Sequence, residues 1–158
     1  MHYELDPEKP ALVYEVMLPK RMDYSSKLAE VLGCFFKRDQ LRQLPPLKAE
    51  LDAMPDPDER EQFITRVQEA ISGYSIYEVD GRYGTPKGPK DERTLVIRFI
   101  IHDPRVKGGM TDSLKALAKN IVVHLISKRF AEELGTEHEI WFLEFGSPTL
   151  QRWVKKAD

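Results

Sequence analysis

The segment Arg93–His102, which reads RTLVIRFIIH, has the strongest strand pattern in the chain. It is rich in β-branched and aromatic residues, which favour strands. Large apolar residues stand at both odd and even positions of the stretch, so both faces of the strand should be covered. The stretch therefore predicts a central strand of a sheet, with Arg98 in the middle of its apolar run.

Three more stretches have the composition of strands, and apolar residues at helical spacing predict helices between them. The strands are Ala11–Leu18 (ALVYEVML), Tyr74–Val79 and Glu139–Phe145 (EIWFLEF). The helices are expected from Asp23 to about Arg42, over 46–54 and 56–72 with Asp56 as N-cap, from Thr111 or Asp112 to about Leu134, and from Ser147 through Leu150, Trp153 and Val154.

The order β-α-β-β-α-β predicts an α+β protein with the ferredoxin-like split βαβ arrangement. Its four-stranded antiparallel sheet should have the first and third strands in the middle and both main helices on one face. Residues 46–72 would be a helical insertion between the first two strands, and a short C-terminal helix would end the chain. The 158 residues suit a single domain, 1–158.

Side chains alternate along a strand, so each predicted strand has two faces. One set is almost wholly apolar and should pack under the helices: Leu12, Tyr14, Val16, Leu18, Leu95, Ile97, Phe99, Ile101, Tyr77, Val79, Trp141, Leu143 and Phe145. The other set should form the open face: Val13, Glu15, Met17, Val96, Arg98, Ile100, His102, Tyr74, Ile76, Glu78, Ile140, Phe142 and Glu144.

The open face should carry an ionisable residue near the middle of every strand. Glu15, Glu78 and Glu144 would surround Arg98, and we expect Arg98 to form a salt bridge because a buried lone guanidinium is costly. These acids with Arg98 and His102 form either a cross-strand ion-pair cluster or the acid and base groups of an enzyme pocket. The apolar remainder of this face requires a cover.

The long helix that begins near Asp112 has two apolar stripes. Leu114, Leu117, Ile121 and Leu125 lie on one side, and a second set lies nearly opposite. That second set comprises Ala116, Val123, Phe130 and Leu134, flanked by Ile126. An ordinary surface helix has one such stripe, so we expect a second contact from the inserted helices, the terminal helix or another subunit.

Two other segments are candidate binding elements. Lys20, Arg21, Ser25 and Ser26 surround a helix start and form a candidate anion site. The segment Asp80–Glu92 (DGRYGTPKGPKDE) should be a long flexible loop, because glycines and prolines interrupt it. Its candidate partner-binding residues are Arg82, Tyr83, Lys87 and Lys90. In position and composition this loop resembles that of the trimeric PII-type signalling proteins, although the nucleotide-binding glycine motifs of that family are missing.

Composition and motifs narrow the class of function. The net charge of −2 gives no basic excess for nucleic acid, and the apolar runs are far shorter than the roughly 18 residues of a membrane span. The single cysteine, Cys34, and the acidic amino terminus without a leader predict a cytoplasmic protein. No phosphate loop, dinucleotide fingerprint, nucleophile elbow or metal-ligand spacing is present, so we expect no cofactor and no metal.

These observations favour a non-enzymatic binding or protein-interaction module that uses the open sheet face, the 80–92 loop or both. Its partner would be another protein or a second copy of the chain. One alternative is a small-molecule enzyme with Glu15, Glu78, Arg98, His102 and Glu144 as acid and base groups. The other is a nucleic-acid-binding protein that uses the basic loop 82–90. The central strand offers Val96, Arg98 and Ile100 but no aromatic ring on the open face, unlike RNA-binding sheets of this type.

Overall fold

A computed structural model describes residues 1–5, 9–19, 25–71, 73–102, 111–130, 140–146, 149–150 and 153–157. The strands are β1 (His2–Leu5), β2 (Lys9–Pro10), β3 (Leu12–Pro19), β4 (Tyr74–Thr85), β5 (Gly88–Ile101), β6 (Trp141–Glu144), β7 (Thr149–Leu150) and β8 (Trp153–Lys156). The α-helices are α1 (Ser25–Leu32), α2 (Arg38–Leu41), α3 (Pro45–Asp52), α4 (Pro57–Ala70) and α5 (Asp112–His124). The α+β class predicted from the sequence is confirmed.

The largest sheet has four antiparallel strands in the order β4-β5-β3-β6. The two strands with the longest apolar runs, β3 and β5, lie in the middle. They pair along their shared length from Leu12 opposite Ile101 to Pro19 opposite Thr94. The strands β4 and β6 form the two edges.

One face of this sheet and the helices form a single hydrophobic core. Tyr14, Val16 and Leu18 of β3 lie in it with Ile97 and Phe99 of β5. The helices contribute a larger set, which includes Leu28, Val31, Leu32, Leu41, Leu47, Ile64, Val67, Leu117, Ile121 and Val122. The inserted helices α3 and α4 therefore belong to the same core as α1 and α5.

The first helix is not continuous to Arg42, as the sequence had predicted. It ends at Leu32, continues as a 3₁₀ turn over Gly33–Phe36, and is broken at Lys37, whose backbone is extended. Cys34 and Phe35 are buried in that turn. Because a 3₁₀ turn is tighter than an α-turn, it keeps these two side chains in the core where the helix changes direction.

The predicted helix caps are confirmed for α4 and α5. The side chain of Asp56 accepts a hydrogen bond from the backbone N–H of Asp58, at 2.9 Å. The side chain of Thr111, rather than that of Asp112, caps α5 by accepting from Leu114 N–H at 3.3 Å. Each cap satisfies an N–H group that has no partner inside its helix.

The second apolar stripe of the long helix is not a separate buried face. Val123 is 40% exposed, whereas Phe130 is fully buried in the main core. The cause is a π-helical turn over Leu125–Phe130, whose i→i+5 bonding takes in one residue more than an α-turn. That extra residue rotates Phe130 onto the side of Leu125 and leaves Lys128 in solvent. Leu134 lies outside the described residues.

The segment Asp80–Glu92 is not a long irregular loop, so that prediction is wrong. Strands β4 and β5 remain paired through it, from Asp80 opposite Arg93 to Thr85 opposite Gly88. Pro86 and Lys87 alone form the turn, and Gly88 follows with a φ of 110°. Proline suits the second position of a type I turn, and glycine adopts the positive φ that completes such a hairpin. We call the part of this hairpin that extends beyond β3, residues 80–93, the hairpin arm.

The predicted C-terminal helix is also wrong, because the end of the chain forms strands. Strand β7 pairs with β2, and β8 pairs with β1, both antiparallel. The two chain ends thus pair at three successive places, from His2–Lys156 to Met17–Trp141. These terminal strands lie beyond the Leu12 end of β3, whereas the hairpin arm extends past the opposite end. None of the helices described is long and apolar enough to cross a membrane.

Candidate functional site

The open face of the sheet, opposite the core, consists of rows of side chains that the strand register defines. Directly opposed residues in an antiparallel pair point to the same face. The rows across β4, β5, β3 and β6 are Tyr77–Val96–Met17–Trp141, then Ser75–Arg98–Glu15–Leu143, then Ile100–Val13–Phe145 on the last three strands. The backbone hydrogen bond from Phe145 N–H to Val13 O, 3.1 Å, fixes the last row.

These rows correct the predicted faces of both edge strands. Tyr77 and Val79 lie on the open face, while Tyr74, Ile76 and Glu78 lie on the core side. In β6 and the residue that follows it, the open face carries Trp141, Leu143 and Phe145, and the core side carries Phe142 and Glu144. Phe142 packs on the core and stacks on Tyr14 with ring centroids 5.3 Å apart.

Glu15, Arg98 and Tyr77 form a closed polar cluster at the centre of the open face. Arg98 Nε donates to Glu15 Oε1 at 2.8 Å, and Arg98 Nη2 reaches the same oxygen. The Tyr77 hydroxyl donates to Glu15 Oε1 at 2.9 Å and accepts from Arg98 Nη2 at 3.1 Å. The guanidinium also lies over the Tyr77 ring, 5.3 Å from its centroid. The predicted salt bridge of Arg98 is confirmed.

The electrostatics of this cluster keep Arg98 charged and Tyr77 protonated. The hydrogen bond that Arg98 donates to Glu15 raises the pKa of Arg98 above its usual range. Burial, and then the hydrogen bond to Glu15, raises the pKa of Tyr77. The carboxylate is the buried member, with an 11% exposed side chain, whereas the side chain of Arg98 is 43% exposed. Neither Arg98 nor Tyr77 is thus poised to exchange a proton near neutral pH.

The other predicted acid and base residues do not join this cluster. Glu144 receives a hydrogen bond from Lys119 Nζ at 2.7 Å, on the core side of β6. Glu78 lies 3.6 Å from Arg93 Nη1 at the edge of β4. His102 lies just beyond the end of β5, where its backbone N–H bonds to Ala70 O. Only Glu15 and Arg98 of the five residues are brought together.

Four large apolar side chains beside the cluster remain exposed on the open face. They are Ile100 (40%), Trp141 (55%), Leu143 (37%) and Phe145 (42%), and we call them the apolar rim. Trp141 and Leu143 stand at alternate positions of the edge strand β6, Phe145 directly follows that strand, and Ile100 lies across β3 from Phe145. The sequence had predicted that Trp141, Leu143 and Phe145 lie in the core. Only the cross-strand register distinguishes the two assignments.

The residues of the predicted partner-binding loop lie along the hairpin arm. Arg82 lies 3.7 Å from Asp91, and Arg93 Nε donates to Asp80 at 3.2 Å, so cross-strand pairs neutralise most of the arm. These residues line a shallow groove with Gly81 and Glu92. Lys87 in the turn and Lys90 in β5 are exposed. The side chain of Tyr83 is not among those described.

The remaining candidates carry no site in the described part of the chain. Lys20 and Arg21 of the predicted anion site lie outside the described residues, and Ser25 and Ser26 begin α1 with side chains that are also outside them. Cys34 is fully buried in the core. Within the described ranges, no three His, Cys, Asp or Glu side chains lie close enough to hold a metal ion.

Comparison of this chain with protein-family models, with curated proteins and with solved structures finds no match. The functional inference therefore rests on the geometry of the open sheet face.

Proposed function

We propose that the chain is a protein-interaction module that binds its partner through the open sheet face. The single observation that carries this proposal is the apolar rim. Four large apolar side chains lie exposed on the face opposite the core, on two strands separated only by β3. Contiguous apolar surface of this kind, beside polar groups, is typical of interaction sites.

The polar centre of the same face supports binding rather than catalysis. Glu15 accepts three of the four hydrogen bonds of the cluster, and both of its partners are held by that carboxylate. Arg98 Nη1, in contrast, makes no hydrogen bond to any described residue, and the guanidinium is half exposed. A partner with an apolar anchor for the rim and a carbonyl or carboxylate oxygen for Nη1 would complement this face.

We also propose a ferredoxin-like architecture in one domain and a cytoplasmic location for the chain. The strand order β4-β5-β3-β6, with helices between β3 and β4 and between β5 and β6, supports a ferredoxin-like split βαβ core in one domain. A single cysteine that is buried in the core supports a cytoplasmic location. Because proteins of one fold can have unrelated functions, the exposed apolar rim, and not the fold, supports binding.

Site-specific photocrosslinking in cells tests the proposed function. A photoreactive phenylalanine derivative at position 143 should give discrete protein adducts, since Leu143 lies between Trp141 and Phe145. The matched control is position 50, because Glu50 is exposed on α3, far from the rim. Replacing both Trp141 and Phe145 by Ser should remove the adducts. Equal crosslinking from positions 143 and 50 would contradict the proposal.

A further inference from the structure

The outer edge of β6 offers backbone hydrogen-bonding groups to another strand. Phe145 and Val13 form a hydrogen-bonded pair, and such pairs alternate along an antiparallel ladder. Leu143 and Trp141 therefore also bond toward β3, and the N–H and C=O groups of Phe142 and Glu144 point outward. Within the described part of the chain, no strand lies on that side of β6.

The side chains of β6 are self-complementary about Leu143. On the open face the strand reads Trp141, Leu143 and Phe145, with an aromatic ring at equal spacing on either side of the leucine. If a second β6 lies antiparallel with Leu143 on a two-fold axis, Phe142 pairs with Glu144 of the second copy. Trp141 then faces Phe145 of the second copy, and the two leucines meet. Cross-strand aromatic pairs of this kind stabilise antiparallel ladders.

We propose that two copies of the chain associate through β6 in this register and form a continuous eight-stranded sheet. This inference rests on the proposed function, because it names a second copy of the chain as the partner that meets Trp141, Leu143 and Phe145 of the apolar rim. A two-fold axis requires a surface that matches itself, and the pattern around Leu143 does.

The two edges of the sheet differ in a way that favours β6. The edge strand β4 carries Glu78, Asp80 and Arg82, and charged residues protect an edge from pairing. Strand β6 has no lysine and no proline, and its one charged residue is Glu144. Lys119 already neutralises Glu144 at 2.7 Å. In the proposed register the two copies of Glu144 are two residues apart along the ladder, about 7 Å, and the Lys119 bound to each carboxylate offsets their repulsion.

The size of the rim determines how strong this association can be. Aromatic side chains expose roughly 150–250 Å² when uncovered. Given the exposed fractions of Trp141 and Phe145, with the smaller contribution of Leu143, the β6 side of the rim offers at most roughly 250 Å² per copy. Two copies then bury at most roughly 500 Å² of side chain, which is below the roughly 1,200 Å² of a stable interface. The dimer should therefore be weak, with a dissociation constant in the micromolar range.

Sedimentation velocity of the full chain from about 1 µM to about 500 µM tests the inference. The unmodified chain should pass from monomer to dimer, and Leu143→Lys should weaken the dimer at least tenfold. The matched control is Ile76→Lys, because Ile76 is 42% exposed on the other edge strand. Circular dichroism should show that both variants keep the fold. A chain that stays monomeric at about 500 µM, or equal behaviour of both variants, would overturn the inference.

A cysteine at the axis tests the register directly. Opposed residues in a non-hydrogen-bonded pair have Cα atoms about 4.5 Å apart, which a disulfide can span. Leu143→Cys should therefore form a covalent dimer under mild oxidation much faster than Ile76→Cys, while the buried Cys34 does not interfere. Equal rates for the two variants would refute this register. A monomeric chain that crosslinks from position 143 to a different protein would refute self-association and leave the proposed function standing.

Discussion

Replacing Arg98 by Met leaves the most deeply buried carboxylate of the open face without its cation. The side chain of Glu15 is only 11% exposed, and Arg98 and the Tyr77 hydroxyl donate its short hydrogen bonds. Methionine keeps much of the apolar stem of arginine but provides no donor. The variant therefore tests whether the polar centre of the face depends on this ion pair.

The expected loss of stability follows from the exposure of the two partners. Removing one member of a fully buried pair costs about 3–5 kcal/mol, whereas exposed pairs contribute about 0–1 kcal/mol. Because the side chain of Arg98 is 43% exposed, solvent screens part of the interaction. We expect Arg98→Met to lower the free energy of unfolding by about 2 kcal/mol. Glu15→Leu should cost about 1 kcal/mol, since water can solvate the guanidinium that remains.

Urea unfolding of both single variants and of the double variant measures the coupling between them. The double variant should lose only about 1 kcal/mol, because it buries no unpaired charge. Arg93→Met is the matched control on the same strand, since the pair of Arg93 with Asp80 is exposed on both sides, and it should change stability by less than about 0.5 kcal/mol. If Arg98→Met costs no more than Arg93→Met, Glu15 is solvated without Arg98 and the reasoning is wrong.

Three further predictions concern other parts of the fold. Burial is the main cause that raises the pKa of Tyr14 to about 12, so ionisation of Tyr14 should lower stability by about 2 kcal/mol as the pH rises from about 10 to about 12. Urea titrations should show that Tyr14→Phe removes this part of the loss, whereas the part due to Tyr77, whose pKa is also raised, is the same in both proteins. Hydrogen bonds from Arg38, and then from Arg42, lower the pKa of Glu61, so Glu61→Gln should lower the urea midpoint at about pH 7. The difference from the unmodified chain should shrink as the pH falls and the carboxylate becomes protonated. Gly88 has a φ of 110°, so Gly88→Ala should reduce the protection of backbone amides from hydrogen exchange at the end of the hairpin arm by about 1–2 kcal/mol. Gly84→Ala is the control and should leave that protection unchanged, because Gly84 has equal space around it but no positive φ.

The sequence predicts the faces of the two central strands but not those of the edge strands, and the reason is physical. In β3 one alternate set is wholly apolar and the other contains Glu15, so burial selects the face. In β4 and β6 both alternate sets contain large apolar residues. A shift of one residue then exchanges the faces at little hydrophobic cost, and the partner strand decides. Stacking of Phe142 on Tyr14 and the hydrogen bond from Tyr77 to Glu15 are contacts that periodicity does not contain.

The structures of Asp80–Glu92 and of the terminal strands also depend on pairing with other strands, which local sequence patterns do not predict. The glycine and proline residues of Asp80–Glu92 indicated a loop. The pairing of β4 with β5 nevertheless accommodates Pro89 opposite Gly84, because the hairpin arm has two strands and its outer edges pair with no further strand among the described residues. The terminal strands pair residues more than 130 positions apart, such as Leu5 with Trp153. Helical spacing within the last twelve residues could not reveal such a contact. The caps of α4 and α5, in contrast, depend on neighbouring residues and were predicted correctly.

Hydroxyl-radical footprinting of Trp141 tests most directly whether the open face is an interaction surface. The internal reference is Phe36, which is 57% exposed on the helical side of the molecule and nearly matches the 55% exposure of Trp141. Oxidation of each residue is compared between the dilute purified chain and the chain at its natural concentration in cells. We expect Trp141 to be oxidised in the dilute chain and strongly protected in cells, while Phe36 changes little. Equal oxidation of Trp141 under both conditions would show that nothing covers the apolar rim and would contradict the account.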